Sequence, residues 1–468
     1  MSRITIANQL RIDETKAHIK QFTNGFDTWI KGIKGTAIGS LINTPLNALE
    51  LVVRTTIESI TKDQDDLKAQ SDKGEVYSKC RRVDRKTIWT HRVWDFYRER
   101  IDQRKQKGRD GMVAAADEVA WSCFIPAFVA NADVPDVARG PSPLPYLEAF
   151  YSPRAFMVEV RPDQLNSDED RTFFQKCLST MPLPLVGVPE DCLNSPWLLV
   201  TLSHEIGHHV QHSLLPNRQL VKSFRDLVTT TVRNALKAKN LSSASAPDRW
   251  GDFSEEFFAD LYAVTQLGEA AAWSIHEYVC TSTDELWKSP AAGNYPRPGV
   301  RQAILKHACA HLKITRDPAY GDWMGNAAMP QDTEAAVDMQ IASDVVATVL
   351  ATKLAGCASL DSIANLSLPS VKNVETLSSQ LVGHVDAVTG QGEQSTREVI
   401  SSGVRAYAQL VVPEIGDATV RRNNLVRQLP KSLVGTRKST LRADEPETDT
   451  KTAVSTLWDL LKSDSETP

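Results

Sequence analysis

Over most of the chain, apolar residues recur at the spacing of one helix face. Phe26, Trp29, Ile30 and Ile33 do so first, and Leu46, Leu49, Val53, Ile57 and Ile60 follow the start signal Asn43-Thr44-Pro45. Trp89, Val93, Tyr97 and Ile101 form one stripe through a strongly basic segment, 77–109. The pattern shortens between Val113 and Val188. Cys123–Val129, Ala155–Val160 and the proline-bearing Met181–Val188 are short β-rich runs, expected as strands, the last at a sheet edge. Helical spacing returns over 218–240, 252–263 and 333–412, with a small-residue loop expected at Ser242–Asp248. Ser432–Lys451 is polar and charged and reads as a disordered linker. Val454, Leu457, Trp458 and Leu461 then stripe a short terminal helix.

These patterns predict an α+β, mostly helical protein: an N-terminal helical region (1–110), a core with a small sheet (111–330), a helical C-terminal region (331–431), and a flexible linker with its terminal helix (432–468).

One stretch carries chemistry. Ser195 is placed to cap a helix and Pro196 suits its first position; Trp197, Leu198, Leu199, Val200 and Leu202 would bury the first two turns. His204-Glu205-x-x-His208 follows. Residues i and i+4 lie one above the other on a helix, so both imidazoles can reach one metal ion. Glu205 is rotated by about 100° from His204 and flanks that ion, where its carboxylate can take a proton from zinc-activated water. Gly207, poor for helix propensity, suits a close approach by another backbone.

A catalytic zinc usually has three protein ligands. The position ten after His204 is Leu214, which excludes a compact three-histidine arrangement, so a carboxylate from a separate helix is the expected third ligand. Glu256 and Asp260 share one face of the helix expected over 252–263, capped by Asp252 or Ser254. Glu256 would bind the metal while Asp260 accepts from the far nitrogen of a ligand histidine. Ala259 leaves room for the two helices to approach, and Glu255 is the rival ligand. His209 and His212 share the histidine helix without being needed as ligands.

His204-Glu-Ile-Gly-His with the later Glu256-x-x-Ala-Asp260 resembles the gluzincin metallopeptidases, whose pattern is HExxH followed by ExxAD. His204–Gln211 is especially similar to bacterial neutral zinc metallopeptidases carrying HEVGHHVQ. Tyr295-Pro-Arg-Pro-Gly-Val-Arg301 resembles the HPxxxxR segment of several gluzincins, with tyrosine in the histidine position. The resemblance covers about 195–305. It implies a zincin-like catalytic core, Zn2+ as cofactor, His204, His208 and Glu256 as metal ligands, and Glu205 as general base. The oxyanion of such a reaction needs a donor; Tyr295, Arg301, His276, Tyr278, His307 and His311 are the candidates.

Charge and cysteines bear on partners and compartment. A net charge of −5 gives no global field for nucleic acid, and the basic segment 77–109 reads as a solvated helix face partly balanced by Asp84, Asp95, Glu99 and Asp102. No secretory signal opens the sequence and no uninterrupted apolar run reaches membrane-spanning length, so no membrane partner is expected. Seven scattered cysteines without a CxxC fit buried thiols in a reducing cytoplasm. The expectation is a cytoplasmic zinc metalloprotease acting on a protein or peptide substrate, with a regulatory protein partner on its helical flanks. Two other classes share the motif: a non-catalytic, zinc-stabilised interaction protein, and a zinc hydrolase of a non-peptide amide.

Overall fold

The computed structural model describes residues 2–137, 140–149, 154–156, 168–181, 183–282, 285–290, 294–323, 330, 332–383, 390, 392–411, 417–437 and 450–466. Over the described residues the protein is mostly helical with one small sheet. The chain divides into two compact units: residues 1–106, 156–185 and 439–468 form one, and 107–155 with 186–438 form the other. The stretches 111–330 and 331–431, expected as separate regions, thus contribute mainly to the same unit.

The first unit is a helix assembly. Helices Arg3–Lys34, Asn43–Asp65 and Lys73–Asp102 bury the apolar stripes read from the sequence, with Phe26, Ile33, Leu46, Leu49 and Tyr97 almost wholly inaccessible. Helix Thr450–Glu466 packs on the last two of these; Leu457 and Leu461 are buried, and the Lys86 ammonium lies over the Trp458 ring. The basic segment is therefore a packed helix. Arg98 pairs with Asp95 and Lys105 with Asp102, while Arg92 and Arg98 lie over the rings of Trp89 and Trp94.

In the second unit three sequence expectations fail. Cys123–Val129 is the end of helix Asp110–Val129, not a strand. That helix is buried nearly all round, and a run apolar on every face carries no periodicity with which to separate helix from strand. It is long and apolar enough to cross a membrane, but 89% of its most apolar window is buried inside the protein. The sheet has strands β1 (Leu144–Glu148), β2 (Arg154–Phe156) and β3 (Leu185–Pro189) in the order β1-β3-β2. The proline-bearing run is therefore the central strand rather than an edge: Pro184 precedes β3 and Pro189 ends it, so neither interrupts the ladder. Of the run Ala155–Val160, residues 157–160 lie outside the described residues. Third, Ser242–Asp248 is a loop only in its first part, because Ala246 opens helix Ala246–Asp252.

Most of the linker expected at 432–451 lies outside the described residues, but Ser432–Gly435 ends helix Ala418–Gly435. Beyond it, Arg437 pairs with buried Glu118 at 2.6 Å. Cysteines at 80, 123, 177, 192, 309 and 357 are buried free thiols; Cys280 is exposed, unlike the expectation for it.

Candidate metal centre

The histidine helix begins later than its sequence suggests. Pro196–Thr201 is a 3₁₀ segment, Ser195 makes no capping bond through its side chain, and the α-helix runs Leu202–Ser213. The second helix, Ser254–Leu267, likewise lacks a side-chain cap: its N-cap is Phe253, and the Ser254 hydroxyl donates back to Gly251. Both starts are buried against neighbouring elements, so packing rather than capping fixes them.

The two helices meet at Gly207. A Cβ there would stand 2.9 Å from Ala259 Cα, closer than such atoms come, and a tight 3.1 Å from Tyr262 Cβ. Glycine thus lets the backbones touch, and the touch brings the acid face of one helix onto the histidine face of the other. His204 Nε2 lies 3.3 Å from Glu256 Oε2, and His208 Nε2 lies 3.6 Å from Glu256 Oε1. The two imidazoles stand nearly perpendicular, with centroids 4.9 Å apart. One donor atom from each of His204, His208 and Glu256 falls within 4.8 Å of the others, and these three can hold a metal ion.

The donor set fits that use. Glu256 Oε2 is buried without a well-formed hydrogen bond, a costly arrangement unless a cation satisfies it. Asp260 Oδ1 stands 2.9 Å from His204 Nδ1, near enough to favour the proton on that nitrogen and leave Nε2 to face the shared point, although the two are not aligned as a well-formed hydrogen bond. Burial opposes charge on His204, but Asp260 and Glu256 outweigh it and push its pKa up to about 10. His208 falls to about 4, through burial first and then the neighbouring His204 charge. The two carboxylates therefore favour positive charge at His204 Nε2, which a metal ion supplies in place of a proton, while His208 stays a neutral donor. Burial pushes Glu256 and Asp260 upward, yet the histidines and Arg301 hold both below the usual carboxylate range.

Glu255 is drawn elsewhere. Its Oε2 bonds His212 Nε2 at 2.6 Å, with Arg218 at 3.5 Å, so the rival ligand is committed to a second imidazole one turn along. The i+8 spacing of His212 from His204 carried that signal in the sequence. His209 is buried on the same helix and is not among the three donors.

Glu205, which follows His204 in the chain, is buried. Its charge reaches the phenol of Tyr295, whose pKa is pushed up to about 12 by burial first, then by Glu256 and Glu205, against Arg301. Tyr295 is about two-fifths exposed and its ring lies 5.6 Å from the Arg301 guanidinium. Of the other candidate donors, His311 pairs with Asp361, His276 packs on Trp323, and His307 is half-buried. Arg301 faces Asp260 rather than open space: Nε and Nη2 each bond one carboxylate oxygen at 2.7 Å. No model of a known protein family, no curated protein and no solved structure matches the chain.

Proposed function

We propose that this chain is a zinc-dependent metalloendopeptidase of the gluzincin kind, with a zincin-like core, that cleaves a protein substrate in the cytoplasm. The observation that carries the reading is the convergence of His204, His208 and Glu256 from two touching helices, with Glu205 next to the first ligand. Two imidazoles and one carboxylate are a zinc donor set that leaves a coordination position open. Zinc, when bound, supplies Lewis-acid polarisation of a carbonyl and of water.

The chain's own groups supply the rest. Glu205 accepts the proton from the attacking water at a carboxylate oxygen and passes it to the leaving amine. Asp260 keeps His204 in the tautomer that presents Nε2. Tyr295 keeps its phenolic proton at neutral pH and feels the charges of Glu256 and Glu205, which supports it as the donor to the carbonyl oxygen as negative charge develops there.

Glu205→Gln tests this reading. It preserves shape and the three ligands but removes the base. New protein termini are compared between cells expressing the wild type and the variant. The reading expects termini that appear only with wild type, while zinc binding is equal in both. Equal cleavage by the variant removes Glu205 from the mechanism. An unchanged biological activity without any cleavage favours a zinc-stabilised interaction protein.

A further inference from the structure

We infer that Arg301 is a positioning residue of the metal centre: from a third helix it fixes Asp260, and it acts on the bound ion through Asp260 and His204. This deepens the metal-centre reading above and depends on it, though not on peptide hydrolysis. Glu256 and Asp260 are one turn apart on one helix face, and both are buried. Two such carboxylates repel each other, and neither torsion is set by helix geometry alone. Arg301, on helix Pro298–His311, sets a positive charge beside both and fixes the torsion of Asp260.

Its Nε and Nη2 hold the two Asp260 oxygens at 2.7 Å each, and Nη2 also stands 4.0 Å from Glu256 Oε2. A forked pair fixes the plane of a carboxylate, which a point charge does not. The oxygen fixed by Nη2 is Asp260 Oδ1, the same atom that faces His204 Nδ1. Orientation therefore passes from guanidinium to carboxylate to imidazole. With two nitrogens committed to Asp260 and the Tyr295 ring 5.6 Å from its Cζ, Arg301 is held away from a role as donor to substrate.

Two effects of removing the guanidinium have opposite signs. Loss of a nearby positive charge would tighten binding of a cation, whereas loss of orientation would weaken it. Zinc affinity, measured by competition with a chromophoric chelator, separates them for wild type, Arg301→Gln, Arg301→Lys, Asp260→Asn and the Asp260→Asn/Arg301→Gln double variant. Positioning predicts that Arg301→Gln binds zinc about 10–100-fold more weakly, as for other partners of metal ligands. Arg301→Lys, which restores charge without the fork, should fall between. In the Asp260→Asn background the Arg301 change should add less than about twofold, because its route to the metal is already cut. Cobalt(II) absorption should shift in the same order. Zinc binding by Arg301→Gln as tight as wild type or tighter overturns the inference, and so does a full loss that persists in the Asp260→Asn background. If Arg301→Gln fails to fold by circular dichroism, Arg301→Lys decides: equality with wild type overturns the inference, and weakening supports it. Wild type that takes up no zinc overturns the metal-centre reading and this inference with it.

Discussion

Gly207→Ala puts the helix contact itself to the test. On propensity alone the change should help, since alanine gains about 1 kcal/mol over glycine within a helix. The structure says otherwise. The new methyl would stand 2.9 Å from Ala259 Cα and 3.2 Å from the Ala259 carbonyl oxygen, and neither is the end of a flexible side chain. Ordinary carbon–carbon contact begins near about 3.5 Å, so the helices must part by roughly half an ångström. Overpacking of this kind costs about 1–3 kcal/mol. After the propensity gain, a net loss of up to about 2 kcal/mol remains, or about 2 °C in Tm for each kcal/mol in a unit of this size. Separation also carries Glu256 away from both histidines by about the margin a binding constellation tolerates, roughly 0.5 Å, so zinc affinity should fall by about tenfold or more. Thermal unfolding and chelator competition measure the two effects on one sample. A variant with a higher Tm and undiminished zinc affinity would refute the argument that close approach at Gly207 builds the site.

Tyr295→Phe should lower kcat by about a hundredfold on a peptide substrate while leaving KM and zinc affinity near wild type; a change confined to KM would remove Tyr295 from the transition state. Leu461→Ala, which empties a fully buried position on the terminal helix, should cost about 2–5 kcal/mol in denaturant unfolding of the first unit, and a cost below about 0.5 kcal/mol would mean that helix is not docked. Glu50→Gln gives a pH test well away from the metal. Burial pushes Glu50 upward, but Lys34 and Arg54 outweigh it and hold its pKa below the usual value. Its stabilisation is then fully present above an unfolded value near about 4.3 and is lost as pH falls through the lower folded value. The stability gap between wild type and Glu50→Gln should stay constant from about pH 8 to 5 and close only below about pH 4. A gap that closes between pH 8 and 6 contradicts that assignment.

What could be read from the residues depended on whether a signal was local. Two histidines four apart, and two acids four apart on a later helix, are patterns that helical geometry converts directly into faces, and Gly207 opposite Ala259 explains how those faces meet. Amphipathic stripes such as Trp89–Ile101 translated into helices for the same reason. Cys123–Val129 did not, because a helix buried on all sides has no polar positions to mark its period. The central place of β3 depends on pairing partners far away in sequence. Arg301 was visible as a candidate, but its forked grip on Asp260 joins two helices about forty residues apart, and no local spacing encodes it. The same holds for Glu255, whose commitment to His212 distinguishes it from Glu256 only once both helices are in place.

Zinc content per chain, measured by plasma mass spectrometry after equilibrium dialysis, tests the central claim most directly when Glu256→Gln and Glu255→Gln are compared side by side. The two glutamates are neighbours in sequence and differ in what they face. One zinc per chain is expected in wild type and in Glu255→Gln, with loss in Glu256→Gln and in either histidine variant, His204→Ala or His208→Ala. Zinc retained by Glu256→Gln and lost by Glu255→Gln would contradict the site described above.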